Sequence, residues 1–133
     1  MTMAQSIFDI AGSAMRAQNL RLNTTASNLA NANSVASSAE EAYKARHPVF
    51  AAMLEDEIGG VQTLGVVESA REPDKRYEPG HPLANDEGYI FSSNVDTVEE
   101  MANMMAATRS YQSNVDMLTT VKQLMLQTLK MGQ

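Results

Sequence analysis

From Met1 to Ala32, apolar positions return every seven residues through Met1, Phe8, Met15, Leu22 and Leu29, and a second series follows three positions later through Ala4, Ala11, Gln18, Thr25 and Ala32. Together they form a seam with a period of about 3.5 residues, the pattern of a helix packed lengthwise on another helix. No proline interrupts it, and only Gly12 weakens it. The last third repeats the spacing: Met101, Thr108, Val115 and Leu129 share one position, with Lys122 as the exception, and Met104, Tyr111, Leu118 and Met125 share the other. Asp96 or Thr97 suits the N-cap, and Glu99 and Glu100 fall in the first turn, where the helix dipole favours negative charge. Lys130 and Gly132 supply the matching stop signals. The spacing predicts a helix from Val98 to Met131, on the order of 50 Å long.

Between these ends the periodicity disappears. All four prolines (Pro48, Pro73, Pro79, Pro82) lie there, as do all the glycines except Gly12 and Gly132. The longest apolar run of the chain, Val49 to Leu54, is also there. Val61 to Glu68 reads as a strand with a bulge at Gly65, and Gly88 to Phe91 as a second strand. The stretch EPGHPLANDEG between them is a turn-rich loop. The chain thus divides into an N-terminal helix (1–33), a turn-rich middle with short β-strands (34–94) and a C-terminal helix (95–133). The expected fold is mainly α with a small β-containing middle, its long terminal helices pairing as a coiled coil across a short insert.

So small a middle cannot cover two seams of this length. The two ends therefore either pair with each other or stay largely unfolded until they meet partners in other chains, and composition favours the second. Asn19, Asn23, Asn28, Asn31 and Asn33, with Thr24, Thr25 and Ser27, crowd the end of the first helix. These side chains compete with the helix for backbone hydrogen bonds but can make amide bonds across an interface. Methionines line the second seam and suit surfaces that adapt to unlike neighbours.

Composition then removes alternatives. Lys and Arg number 10 against 16 Asp and Glu, a formal charge of −6, and the basic residues are scattered, which argues against a nucleic-acid surface. With no cysteine there is no disulfide, thiol nucleophile or thiolate metal site. His47-Pro48 and His81-Pro82 are isolated, without metal-ligand spacing, so they read as turn histidines although Glu78, Asp86 and Glu87 lie near His81. Gly59-Gly60 and Gly65 lack the Lys-Ser/Thr of a phosphate loop, no serine sits in a nucleophile-elbow setting, and the acidic clusters Glu55-Asp56-Glu57, Asp86-Glu87 and Glu99-Glu100 read as solvated faces or caps. Neither an enzyme nor a cofactor is expected. The first ten residues show no secretory signal, no apolar run could span a bilayer, and Thr119 to Met131, with only Lys122 and Lys130 as basic residues, makes a poor membrane-surface helix.

The N-terminal stretch IFDIAGSAMRAQNLRLNTTASNLANANSV resembles the amino-terminal signature of the bacterial flagellar axial proteins, the rod and hook superfamily, whose core reads SNxANxxT. Here that core is Ser27-Asn28-Leu29-Ala30-Asn31-Ala32-Asn33-Ser34. The C-terminal stretch is similar to the end of the proximal rod proteins of the flagellar basal body, where an NVxxxxEM segment leads into SRSYQAN; the match here is Thr108-Arg109-Ser110-Tyr111-Gln112-Ser113-Asn114. The loop YEPGHPLANDEGYI is also similar to the family's, whereas Ser93 stands where the family often has proline.

The resemblance implies a non-enzymatic structural subunit of the basal-body rod that transmits motor torque to the hook. It implies a periplasmic rod location, and export through the flagellar type III apparatus without a cleaved signal peptide. The implied partners are other copies of the chain, other rod proteins, the export apparatus and the rotor-ring or hook-side neighbours, with no nucleic acid and no membrane insertion. The candidate assembly interface comprises Phe8, Met15, Leu22, Asn28, Leu29, Asn31 and Asn33 at one end and Met101, Met104, Tyr111, Val115, Leu118, Met125 and Leu129 at the other. The competing reading is a self-folding helical export chaperone or adaptor that captures a partner helix.

Overall fold

The structure is a computed structural model, and it describes residues 3–55 and 58–132. Met1 of the first seam and Asp56 and Glu57 of the first acidic cluster lie outside the described residues. Two helices frame five strands in the order α1 (Met3–Ala30), β1 (Val35–Ala36), β2 (Arg46–Glu55), β3 (Ile58–Glu68), β4 (Lys75–Tyr77), β5 (Tyr89–Ser92) and α2 (Thr97–Met131). The expected class, two terminal helices around a small β-containing middle, is the one observed.

The helix ends follow from local chemistry. Asp96 caps α2, its carboxylate accepting from the Val98 and Glu99 N–H groups. At the other end the Gly132 N–H closes on the Thr128 carbonyl, but φ is −81°, so the stop makes no use of glycine's left-handed freedom. Helix α1 ends where Asn31 donates its side-chain amide to the Ser27 carbonyl at 2.8 Å, and Ser34 then caps the Asn31 carbonyl with both its N–H and its hydroxyl.

Two small antiparallel sheets make up the middle. One is the β2–β3 hairpin; the other has the order β1-β5-β4. The bulge expected at Gly65 is present: Val49 pairs with Gly65 and Phe50 with Thr63, leaving Leu64 as the extra residue, and Gly65 takes φ +153°. Strand β2 was not expected from the sequence. Its segment RHPVFAAMLE holds Pro48 and two alanines, weak strand formers. Proline is tolerated here because a two-stranded sheet leaves one side of each strand without a ladder to break.

Helix α1 is the middle layer. The hairpin lies along one side of it, with the Arg46 end beside Asn28 and the Val61 end beside Ser13. On another side runs α2, antiparallel: Ile7 near the start of α1 shares a groove with Val121, Leu124 and Met125 near the end of α2, while Arg21 donates to Asn103 Oδ1 at 3.0 Å. The two ends thus pack on each other within one chain. Sequence composition had favoured leaving them to partners in other chains, because its weak helix formers are costly only until tertiary bonds employ them. The core these layers enclose is small and partly polar: Ala11, Ala17, Ala42, Ala45, Ile90 and Ala107 are buried together with Ser13, Thr24, Thr25, Asn28, Ser93, Asn94 and Glu100.

Candidate assembly surfaces

The surfaces that remain for other molecules are decided first by what the chain uses internally. Asn28 is fully buried. Its Oδ1 accepts from the Arg46 N–H (2.9 Å) and the Tyr43 hydroxyl (2.8 Å), and its Nδ2 donates to the Arg46 carbonyl (2.8 Å). The side chain therefore satisfies both backbone groups of the first residue of β2, as a neighbouring strand would, and docks the hairpin on α1. Ser27 lies 3.2 Å from the same Tyr43 hydroxyl. The asparagine-rich signature thus acts inside the chain: Asn28 clamps the hairpin and Asn31 ends the helix. Asn33 is exposed just beyond it.

Asn94 is a second clamp that the sequence reading missed. Its Oδ1 accepts from the Ala45 N–H at 2.6 Å, and its Nδ2 donates to the Arg71 carbonyl at 2.7 Å. Beside it, Ser93 donates to the Ala32 carbonyl at 2.6 Å. These two residues bind the end of α1, both ends of the hairpin and the start of α2 at one point. No local pattern signals this role, because the partners are 23 to 61 residues away in sequence.

The turn-rich loop organises itself. Asn85 Oδ1 accepts from the Glu87 and Tyr89 N–H groups, and Gly88 sits at φ +83°, where an added Cβ would come within 2.9 Å of the Tyr77 ring. His81 is a turn residue whose Nδ1 accepts from the Leu83 N–H. His47 differs from its expected place in a turn: it lies on β2, 3.9 Å from the Glu100 carboxylate. Glu100 is buried, and its second oxygen has no hydrogen-bond partner. Its place in the first turn of α2, at the positive end of the helix dipole, offsets part of that cost. Among the described residues no cluster of three metal-ligating side chains occurs, and no described helix is long and apolar enough to cross a membrane.

On α2 the inward line runs through Glu100, Asn103, Met104, Ala107, Ser110, Tyr111, Asn114, Leu118 and Val121, all buried or half-buried. One expected series, Met104, Tyr111 and Leu118, therefore faces inward. The other lies one residue away from the buried positions: Glu100 and Ala107 are buried where Met101 and Thr108 had been expected to pack. The reason is close approach, since Ala107 is fully buried and Asn103 meets Arg21. Val115 is half-buried, whereas Met125 and Leu129 are exposed near the free end of α2. On α1, Phe8, Met15, Leu22 and Leu29 are half-buried, while Ala11 and Thr25 are buried.

What the chain leaves uncovered is apolar. Val98 is 75% exposed and Met105 74%, and Met101 lies beside them. Toward the other end, Leu124, Met125, Leu126, Leu129 and Met131 are exposed as well. Two open grooves interrupt this surface. One, of about 680 Å³, is lined by Met104, Met105, Thr108, Arg109, Gln112, Ser113 and Asp116; the other, of about 400 Å³, lies between Ile7 and the last turns of α2.

Known proteins match both ends and the whole. Residues 8–36 match the family model of flagella basal body rod proteins, and residues 86–131 match that of the flagellar basal body rod FlgEFG protein C-terminal region. The chain is 53% identical over 131 residues to the flagellar basal-body rod protein FlgC of Escherichia coli O6:H1, with 96% of this chain and 97% of that protein covered. Identity is 51% to FlgC of Salmonella typhimurium over 130 residues and 40% to FlgC of Buchnera aphidicola from Acyrthosiphon pisum over 132 residues, with the same coverage.

Proposed function

The chain belongs to the FlgC family of flagellar basal-body rod proteins and is a structural subunit of that rod, and we propose that it serves there as a proximal segment of the shaft carrying motor torque toward the hook. The observation that supports this reading is the apolar surface that α2 leaves uncovered. Its inward line mixes Glu100, Asn103, Ala107, Ser110 and Asn114 with Met104, Tyr111, Leu118 and Val121, while Val98, Met101 and Met105 face solvent. A soluble subunit that works alone gains nothing from that arrangement, because each large apolar side chain left in water forgoes roughly 1.5–3 kcal/mol of burial.

Neighbouring subunits supply the missing wall. In the rod, α1 and α2 act as a coiled coil, and their half-buried seam residues Phe8, Met15, Leu22, Leu29, Met104, Tyr111, Val115 and Leu118 become buried along with Met101, Met125 and Leu129. Asn28 and Asn31 serve the same assembly indirectly, by fixing the shape that is presented. A shaft resists torsion when its helices are packed on several sides, and the subunit reaches that state only among copies of itself and other rod proteins. Export through the flagellar type III apparatus fits a chain with no cysteine and a small core. The subunit is non-enzymatic in this reading. The chaperone or adaptor alternative finds no support among the relatives, which are rod proteins over nearly their full length.

The test is replacement of the gene in a flagellated strain. Loss of swimming and of complete basal bodies in its absence, and recovery of the chain in purified rods when it is restored, are expected. Cells that swim without it, or purified rods that lack it, overturn the reading.

A further inference from the structure

The outer face of α2 carries a reactivity that packing alone does not use. The chain has ten methionines and no cysteine, so thioethers are its only oxidisable sulfur. Among the described residues Met101, Met105, Met117, Met125 and Met131 of α2 are exposed, whereas Met104 and Met15 are half-buried. Val98, Met101 and Met105 fall at i, i+3 and i+7, on one stripe that faces solvent. Met104, one residue from Met105, faces inward and supplies an internal control. Helical side chains lean toward the N-terminus, which turns Met105 toward Met101 and Ala102, neither of which carries a side-chain hydrogen-bond donor.

We propose that Met101 and Met105 form an oxidation-sensitive site that decides whether a free subunit can enter the rod. The reactant is a hydroperoxide. The thioether sulfur gives two electrons to one peroxide oxygen, an S–O bond forms and the O–O bond breaks. With hydrogen peroxide the second oxygen leaves with both protons as water, and no side chain gains or loses a proton. The product, methionine sulfoxide, replaces a soft apolar sulfur with a strong acceptor, and an acceptor buried without a donor weakens an association about tenfold or more. The inference rests on the rod reading, in which neighbours cover this face. The fold of the single chain is indifferent to the change, because neither side chain belongs to its core. The site is therefore open only before assembly, and an assembled copy is protected by whatever covers it. Reduction by a methionine sulfoxide reductase restores the free subunit.

The probe is hydrogen peroxide, read by peptide mass. In the purified chain Met101 and Met105 should gain oxygen at least about fivefold faster than Met104, with the urea midpoint unmoved. Equal rates at Met104 and Met105, or a fall in midpoint that the double substitution Met101→Leu and Met105→Leu abolishes, overturn the site. In a flagellated strain lacking its own relative and its methionine sulfoxide reductases, peroxide is then given while new basal bodies form. Judged against its own untreated level, incorporation of the unsubstituted chain should fall about tenfold, and that of the doubly substituted chain about twofold or less. Rods completed before exposure should keep Met105 unoxidised. Equal losses in the two strains, no loss in either, or Met105 sulfoxide as abundant in rods as in the free chain overturn the proposal and leave the rod reading standing. If the unsubstituted chain fails to restore basal bodies without peroxide, the rod reading fails and takes the proposal with it.

Discussion

The joint where α1, the hairpin and the start of α2 meet is built from the opposite materials to the outer face of α2. At the joint, Asn28, Asn94 and Ser93 are buried and every bond they make is to the chain itself. On the outer face, methionine, leucine and valine stand in solvent. Directional hydrogen bonds between small polar groups shape the monomer, while many of its large apolar side chains stand outside the core. A subunit made this way holds one shape with little core, because each buried amide accepts only one arrangement of partners.

The sharpest way to break the inner half of this contrast is Asn28→Ala. It leaves the Arg46 N–H, the Arg46 carbonyl and the Tyr43 hydroxyl without their partner, and the expected loss is about 2–4 kcal/mol in urea unfolding. Asn28→Asp should cost less on the acceptor side but turns the donor to the Arg46 carbonyl into a repulsion, so it does not restore stability. Asn94→Ala comes next, at about 2–3 kcal/mol, for the loss of the Ala45 and Arg71 bonds. Its local signature is faster hydrogen exchange at the Ala45 amide and along the adjoining end of the hairpin. If that amide stays as protected as in the unsubstituted chain, Asn94 is not the clamp.

Gly88→Ala is smaller and tests the loop. The residue sits at φ +83° and an added Cβ meets the Tyr77 ring at 2.9 Å, so a loss of about 1–2 kcal/mol is expected. The change should disturb the Tyr77–Tyr89 edge contact, whose centroids are 5.1 Å apart, and be visible in the tyrosine ring resonances.

These positions show which parts of the molecule local pattern could reveal. The α2 cap at Asp96, the strand over Val61–Glu68 and its bulge are written in nearest neighbours, because capping, alternation and glycine conformation act within a few residues. The β2 strand is not, since Pro48, Ala51 and Ala52 have no strand preference and the segment is extended only because Asn28 and β3 hold it. The phase of α2 is another case. Apolar spacing placed Met101 and Thr108 inside, whereas close approach to α1 selects Glu100 and Ala107 beside Met104, Tyr111 and Leu118. The asparagine signature was visible as a motif, but its partners Tyr43 and Arg46 lie beyond a turn that no periodicity describes.

The outer half of the contrast is broken by a substitution that the monomer should barely register. Met105 is exposed and makes no side-chain hydrogen bond, so Met105→Asp is expected to change unfolding free energy by about 0.5 kcal/mol or less. Leu118→Asp provides the internal comparison, because that side chain is half-buried against α1 and its replacement should cost more than 1 kcal/mol. Both should abolish swimming while export of the chain continues, but for different reasons: one removes a surface for neighbours, and the other also loosens the helix pair. Motile cells carrying Met105→Asp would mean that the outer apolar face of α2 is not covered in the rod. Motile cells carrying Leu118→Asp would mean that the α1–α2 seam is dispensable there. If Met105→Asp destabilises the purified chain as much as Leu118→Asp does, the division of labour between a polar joint and an apolar exterior is wrong, since the exterior would then already be working in the monomer.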